Sequence, residues 1–244
     1  MEWPMPMRSD PGVGSRHSVK MEHALLEHYA MSSESTRAES LFDRTASPRE
    51  KKRVQRIEDI IEAAAMLFVR DGYAQFSARR VASELGISLS NLQHYCGTTE
   101  NLLLSMIRAK IEVFVTRFRD IANETSLTPE QRFVKVIDED MAATLDPWIA
   151  SFSFQTWALA EHDKAVNEHL KLIYGEFCRI LANLIRDVNP QLTSSKADVY
   201  ATLIASQIEG LMFYNKQIAA DQRHWDETLE TMRTMWVNMI RLGH

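Results

Sequence analysis

Cysteine is nearly absent from this chain, which has two, Cys96 and Cys178, among 244 residues. A disulfide framework or a structural zinc site needs cysteines at paired spacings, so both are excluded and a reducing compartment is expected. Glycine and proline are also scarce, at eight and seven residues. Alternating strand patterns and Asn-Gly hairpin turns are missing, whereas Ala, Leu, Ile, Met and Glu recur at helical spacing. The sequence therefore predicts an all-α fold of about nine helices.

Motifs of catalysis and of membrane insertion are lacking too. The chain has no Gly-rich phosphate loop and no nucleophile elbow, so we expect no enzyme, no catalytic residue and no cofactor. Its most apolar stretch, residues 201–214, is interrupted by Gln207 and Glu209, and the amino terminus has no apolar core of a signal peptide. We expect a cytoplasmic protein that contacts no membrane.

Two other chemistries remain as weaker alternatives. His162 and His169 lie seven residues apart with Glu161 and Glu176 nearby, so they could form a metal site, although ordinary polar-face histidines explain them better and no metal is expected. Cys96 could serve as a redox switch. A small buried hydrophobe is the simpler interpretation of that thiol.

The strongest local pattern lies at residues 78–97 and is typical of a helix-turn-helix. Ser77 and Ser88 can cap two short helices, and Gly86 between them permits a left-handed turn. Apolar residues at helical spacing mark the inner faces of the two helices: Val81, Ala82, Leu85, Ile87, Leu92 and Tyr95. The residues left outward on the second helix are mostly polar, which fits the DNA major groove. A hairpin with a merely solvated second helix is the alternative.

A cluster of cations stands at the start of the preceding helix. Ser47-Pro48-Arg49-Glu50 is a capping box that predicts a helix running to Asp71-Gly72. Its first turns carry several basic residues, although positive charge there is disfavoured by the helix dipole. Residues 49–97 hold eight Lys or Arg against six Asp or Glu, whereas the whole chain has a net charge of −5. A local basic surface on an acidic body favours a phosphate partner and site-specific DNA binding.

Residues 50–104 resemble the DNA-binding domain of the TetR family of bacterial transcriptional regulators. The run Gly97-Thr98-Thr99-Glu100, followed by Leu102-Leu103, is similar to the Gly-Ser-Lys-Glu type start of that family's fourth helix. This chain departs from the family at three positions. Thr99 replaces a phosphate-contacting Lys, Cys96 stands where Phe is frequent, and Gln93 replaces the more common Tyr. Gln can contact adenine in a bidentate way.

The resemblance implies a double-stranded DNA operator as partner and divides the contacting residues into two groups. The residues placed where the family reads bases are Arg79, Leu89, Ser90, Asn91 and Gln93. Those expected to contact the DNA backbone are Arg49, Lys52, Arg53, Ser77, Arg80, His94, Tyr95 and Thr99.

Three regions follow from composition and from this resemblance. Residues 1–46 are polar and rich in Pro and Gly, so we expect a disordered tail. Residues 47–97 form the predicted helix-turn-helix DNA-binding domain. Residues 98–244 form the predicted helical domain for effector binding and dimerisation, in which Thr128-Pro129-Glu130-Gln131 and Asp146-Pro147 start two further helices.

Large aromatic side chains are concentrated in the second half of the chain. In the TetR family, which this chain resembles, this region encloses an apolar cavity for a small effector. The sequence does not identify the effector of this chain. Each aromatic residue taken singly is more often core than ligand contact, but together they favour an apolar or aromatic effector. The predicted pocket consists of Trp148, Phe152, Gln155, Trp157, His162, Tyr174, Phe177 and Phe213.

The last two helices have the pattern of a packed helical interface. Trp225, Leu229, Met232, Trp236 and Met239 follow at intervals of four, three, four and three residues. The residues predicted to form a homodimer interface are Ile204, Ile208, Gly210, Leu211, Leu229, Met232, Trp236 and Met239. Packing within one chain is the alternative. A twofold dimer would require a palindromic operator.

These patterns together predict a homodimeric, ligand-responsive repressor that binds DNA sequence-specifically. A structural DNA-binding protein without an effector is the alternative that shares the same motif. A helical enzyme or metal-binding protein is less favoured.

Overall fold

Nine α-helices make up residues 47–218 and 221–243, the part of the chain that the computed structural model describes. They are α1 (Pro48–Asp71), α2 (Ala78–Glu84), α3 (Leu89–Cys96), α4 (Thr99–Ala122), α5 (Pro129–Thr144), α6 (Pro147–Ala160), α7 (Lys164–Val188), α8 (Ser194–Gln217) and α9 (Gln222–Leu242). A single 3₁₀ turn, Tyr73–Gln75, follows α1. No strand occurs in these residues, which confirms the all-α prediction. The predicted tail, residues 1–46, lies outside them.

The helix-turn-helix has the caps and the turn that its sequence predicts. The Ser77 hydroxyl accepts a hydrogen bond from the backbone N–H of Arg80 at 3.3 Å, and the Ser88 hydroxyl accepts one from Asn91 at 3.2 Å. Gly86, between α2 and α3, has a φ of +64°, in the left-handed region. These local features favour the turn that joins the two helices.

Local signals also begin the helices of the body. Thr128 and Gln131 form the predicted capping box, in which each side chain accepts from the other's backbone N–H at 3.2 and 2.9 Å. The Asp146 carboxylate accepts from the backbone N–H groups of Trp148 and Ile149 at 2.7 and 3.0 Å, and so caps α6. None of the described helices combines the length and the apolar character that crossing a membrane requires.

The reader helices share their hydrophobic core with the body. Leu92 of α3, Phe68 of α1 and Leu102 of α4 are completely buried in one cluster. The same cluster includes Phe152 of α6 and Leu170 of α7. Burying each such side chain contributes about 1.5–3 kcal/mol to stability. The chain therefore has no break in packing at residue 97, where the helix-turn-helix ends.

A second cluster lies among α4, α5, α7, α8 and α9 and contains half of the residues predicted for the dimer interface. Ile204, Ile208, Leu211 and Trp236 are buried there. The Trp236 indole N–H also donates to the Gln207 side chain at 2.6 Å. Gly210, Leu229, Met232 and Met239 are half-buried. The seven-residue pattern of α9 thus has a partner surface within its own chain.

Replacing Gly86 by alanine should destabilise the protein through backbone conformation alone. No heavy atom lies within 4 Å of the position that a Cβ would occupy, but the φ of +64° is costly for an L-residue. We expect Gly86→Ala to lower the free energy of unfolding by about 1–2 kcal/mol in urea titration.

Gly175 provides the matched control because it is helical, exposed and equally free of neighbours within 4 Å. Gly175→Ala should raise the free energy of unfolding by up to about 1 kcal/mol. Changes of the same sign and size in both variants would contradict the account of the turn.

Candidate DNA interface and effector cavity

Helix α3 displays polar side chains on the face opposite its buried anchor, Leu92. Ser90, Asn91, Gln93 and His94 are exposed. Arg79, at the start of α2, is exposed as well. Leu89 differs from the other predicted base readers because it is half-buried and packs against the reader core. A helix of eight residues with this division between faces has the shape required to enter a major groove.

The predicted backbone contacts from two helices converge on one surface. Arg49, Lys52 and Arg53 at the start of α1 line a concavity together with His94 and Tyr95 at the end of α3. The His94 and Tyr95 rings are 5.4 Å apart, centroid to centroid. We call these five residues the basic notch. Three cations beside the exposed helix provide a site for a phosphate group.

The remaining predicted backbone residues have local roles in the structure. Arg80 donates to the Asp71 carboxylate and to the Gln75 carbonyl, the latter at 3.0 Å, and so ties α2 to the end of α1. Hydrogen bonding by Arg70, with a smaller contribution from Arg80, lowers the pKa of Asp71. Ser77 caps α2, and Thr99 is the first, half-buried residue of α4. Their contacts with DNA stay predictions.

A cavity of about 100 Å³ lies among α4, α5, α6, α7 and α8. Five of the eight residues predicted for the pocket line it: Trp148, Phe152, Trp157, Tyr174 and Phe177. Phe114 and Phe118 of α4 add two further aromatic rings that sequence reasoning did not include. The walls are therefore predominantly aromatic.

The other three predicted pocket residues point elsewhere. The Gln155 side chain donates to the Val69 carbonyl of α1 at 3.2 Å. His162 is exposed at the turn between α6 and α7, and Phe213 is exposed on α8. The exposure of Phe213 follows from the geometry of α8. Its neighbour Met212 and, about one turn earlier, Glu209 are the α8 residues that line the cavity, so Phe213 lies on another face of the helix.

Two carboxyl groups in the cavity wall were missed from the sequence. Asp140 of α5 and Glu209 of α8 both line it, and the Glu209 Oε2 atom is buried without a hydrogen-bond partner. Burial raises the pKa of Asp140 well above its ordinary value, and the nearby Glu209 raises it further. Burial also raises the pKa of Glu209, to about 7. The sequence feature that could have identified Glu209 as a cavity residue was its position inside the most apolar stretch of the chain.

Tyr174 connects the aromatic wall to the carboxyl pair. Its hydroxyl accepts a hydrogen bond from the Trp157 indole N–H at 2.9 Å and lies close enough to the Glu209 carboxyl to lower the pKa of that group. Burial raises the pKa of Tyr174, so the phenol keeps its proton. The cavity wall also contains Lys110, which donates to Glu62 of α1 and lies 5.4 Å from the centre of the Trp148 ring.

The residues behind the weaker alternatives lie apart. Within residues 47–218 and 221–243, no three His, Cys, Asp or Glu residues are grouped as metal ligands. His169 is buried and His162 is exposed. Burial raises the pKa of the Cys96 thiol, which is opposite to the shift that activates a redox cysteine.

Comparison with known sequences matches the helix-turn-helix region to the model described as "Bacterial regulatory proteins, tetR family", over residues 60–106. An HTH-type transcriptional regulator of Bacillus subtilis, PksA, is 24% identical over 173 residues, which cover 68% of this chain and 82% of that protein. An HTH-type regulator of Staphylococcus aureus (strain USA300) is 23% identical over 175 residues, covering 70% and 88% of the two chains.

Solved structures of regulators have the same fold. A transcriptional regulator of Pseudomonas aeruginosa PAO1 superposes with a TM-score of 0.65 at 17% identity, covering 82% of this chain and 97% of that one. A regulator of Saccharomonospora viridis in complex with choline gives a TM-score of 0.62 at 20% identity, covering 77% and 96%.

Gln93 and Lys52 should affect DNA binding in different ways. Gln93→Ala should cost about 1–3 kcal/mol on the preferred site and relax preference at one base pair, because a base contact is lost. Lys52→Ala should weaken binding to all duplexes alike and reduce the salt slope by about 1, because a phosphate contact is lost.

Fluorescence anisotropy with the selected site and a scrambled duplex, each at several salt concentrations, would measure both effects. An equal loss on both duplexes for Gln93→Ala would contradict its role as a base reader.

Glu209 should make stability depend on pH. Because its pKa in the folded protein is raised to about 7, its contribution to stability is complete below its ordinary pKa and is lost as the pH rises through 7. We expect the unfolding free energy of the unliganded protein to fall by up to about 3 kcal/mol between pH 4.5 and 7.5 through this group. Asp140 acts in the same direction.

Urea unfolding across this pH range would measure the effect, and Glu209→Gln should remove most of the contribution. Glu168→Gln, which changes an exposed carboxyl on α7, is the control. The same pH dependence in wild type and Glu209→Gln would show that the Glu209 carboxyl is not desolvated.

Proposed function

The chain belongs to the TetR family of bacterial transcriptional regulators and binds DNA, and from this premise we propose that it is a cytoplasmic homodimeric repressor released from a palindromic operator by a small molecule. The observation that carries the proposal is the single hydrophobic cluster that joins the displayed helix α3 to the wall of an aromatic cavity. Helix α3 has the polar surface of a DNA-reading helix, and the cavity has the aromatic interior of a ligand site.

DNA reading by α3 combines two kinds of contact. Exposed Asn91 and Gln93 offer amide groups that can pair with base edges in the major groove. The basic notch lies at the carboxyl end of α3, directly after Gln93, where a phosphate contact would set the register of the helix on the duplex. Because the chain as a whole is acidic, the DNA affinity would be concentrated on this one face.

Dimerisation has support from an apolar stripe that remains exposed on α8. Val199, Leu203 and Phe213 are each about half exposed. Together with Ser206 and Gly210 they follow at intervals of four, three, four and three residues, the spacing of a helical seam. Gly210 would allow a close approach of a second helix. This stripe replaces Ile204, Ile208, Leu211 and Trp236 in the proposed interface, because those side chains pack inside one chain.

Two contacts between the cavity wall and α1 could transmit the presence of an effector to the reader. Phe152 stacks on Trp148 with centroids 5.5 Å apart, and it meets Phe68 of α1 edge-on at 5.7 Å. Lys110 covers the Trp148 ring while it is paired with Glu62 of α1. A molecule that displaces Trp148 would therefore disturb the packing of α1 on α4 and α6.

The proposed mechanism is a shift between two arrangements of the reader helices in the dimer. In one arrangement the two α3 helices match successive major grooves, and in the other they do not. An effector can shift this equilibrium only by its differential affinity for the two arrangements. The regulator of Saccharomonospora viridis, whose structure contains choline, provides a precedent among chains of this fold for a small bound molecule.

An effector-independent DNA-binding protein is the second candidate. It would share α3 and the basic notch but would need no cavity with an unpartnered carboxyl oxygen in its wall. A catalytic role has no support from the relatives, which are transcriptional regulators. The buried, unpartnered Oε2 atom of Glu209 therefore favours the ligand-responsive form.

Selection from random duplex DNA at two salt concentrations would test the proposal, together with one variant that disrupts the interface. Wild-type protein should enrich a palindrome and sediment as a dimer. Leu203→Glu should weaken the dimer at least 100-fold and enrich only half-sites, because it places a charge in the apolar stripe.

Leu172→Glu is the matched control, since Leu172 is 73% exposed on α7, away from the stripe. It should leave both the dimer and the palindrome unchanged. Enrichment of no sequence at either salt, or of a palindrome by a monomeric Leu203→Glu protein, would overturn the proposal.

A further inference from the structure

We propose that the effector is a small organic cation whose ammonium group binds at Asp140 and Glu209 inside the aromatic cavity. This inference deepens the proposed function and rests on it, because it names the chemical class of the ligand. Four observations carry it: the carboxyl pair, the aromatic walls, the unpartnered oxygen of Glu209 and the contacts of Lys110.

The carboxyl pair has no internal counter-charge. Asp140 and Glu209 come from different helices, both line the cavity, and Glu209 lies close enough to raise the pKa of Asp140. No described Lys, Arg or His forms an ion pair with either carboxyl or affects its pKa. Two buried carboxylates without a cation repel each other and lack the solvation of water. A cationic ligand would supply the missing charge.

The walls around the pair are suited to an ammonium group. Seven aromatic residues line the cavity: Phe114, Phe118, Trp148, Phe152, Trp157, Tyr174 and Phe177. The faces of such rings carry partial negative charge and attract cations, including quaternary ammonium groups. Aromatic faces and carboxylates act in the same direction on a positive ligand. A neutral apolar ligand would gain from the rings alone and would leave Glu209 Oε2 without a partner.

Tyr174 is the residue of the aromatic wall whose hydroxyl lies next to Glu209. Trp157 donates to the Tyr174 hydroxyl at 2.9 Å, which fixes the phenol beside the Glu209 carboxyl. The Glu209 Oε2 atom is buried without a hydrogen-bond partner, and its residue lines the cavity. Tyr174 is therefore a positioning residue, and Glu209 and Asp140 are the binding residues.

Lys110 is the one cation in the described cavity wall, and its ion pair is with Glu62 and not with Asp140 or Glu209. It is occupied by Glu62 and by the Trp148 ring, and it makes no contribution to the pKa of Asp140 or Glu209. The volume of about 100 Å³ is far below the range of drug-sized sites, about 300–1,000 Å³. The ligand is accordingly a small ammonium compound with its charge at the carboxyl end of the cavity.

Calorimetric titration of the purified full-length protein with charge-matched probe pairs tests this inference. One pair is choline and its neutral isostere 3,3-dimethylbutan-1-ol, and the other is 2-phenylethylammonium and 2-phenylethanol. At pH 8, at least one cation should bind at least ten times more tightly than its neutral partner. Glu209→Gln and Asp140→Asn should each reduce that affinity at least tenfold. Glu168→Gln, an exposed carboxyl on α7, should not change it.

A second measurement separates loss of the site from loss of the fold. Unliganded Glu209→Gln should melt at a higher temperature than wild type at pH 8, because the variant removes an uncompensated buried charge. Tyr174→Phe should keep the fold and weaken binding of the cation but not of its neutral isostere.

Equal binding of charged and neutral probes, binding of neither cation below 10 mM, or cation binding that survives both carboxyl variants would overturn the inference. The titrations contain no DNA, so such failures leave operator binding intact. Failure to select an operator would conversely leave cation binding unaffected.

Discussion

The packing of Phe68 against Phe152 is the contact on which the behaviour of this molecule depends. Phe68 belongs to the helix that carries the basic notch, and Phe152 belongs to the wall of the cavity. Both lie in one buried cluster with the anchor of α3, Leu92. Because a close-packed core transmits displacement, we propose that a change in the cavity reaches α1 through this cluster. The same contact stabilises the fold and, in the proposed mechanism, couples effector binding to DNA binding.

The cavity shows a conflict between stability and binding. Two carboxyl groups in a largely aromatic enclosure make the unliganded protein less stable than amides at the same positions would. In our proposal a cationic ligand compensates this pair. The free energy that the carboxyls cost in the unliganded protein would then be part of what the cation recovers on binding, and part of what shifts the reader helices.

The reader was predictable from the sequence because its signals are local. Ser77 and Ser88 each accept from a backbone N–H three residues ahead, and Gly86 sets the turn, so neighbours in the chain determine the result. The capping box at Thr128 was predictable for the same reason. Each of these signals depends on residues within one helical turn.

The cavity and the apolar stripe of α8 depend instead on how helices that are distant in sequence are rotated against one another. Phe213 and Met212 are adjacent and equally apolar, but only Met212 reaches the cavity. Asp140 follows Asp138 and Glu139, and the sequence does not distinguish the inward carboxyl from its neighbours. The pattern on α9 indicated a packed seam, but whether its partner is α5 of the same chain or a second copy is decided by tertiary packing.

Thermodynamic linkage between the cavity and the operator tests the central claim most directly. The affinity of the dimer for its selected operator would be measured with and without a saturating cavity ligand, and the affinity for that ligand with and without operator. Reciprocity requires both ratios to be the same, and coupling through the Phe68 and Phe152 contact predicts a ratio of about 5–150. A ratio of 1, with ligand and operator bound independently, would contradict the account.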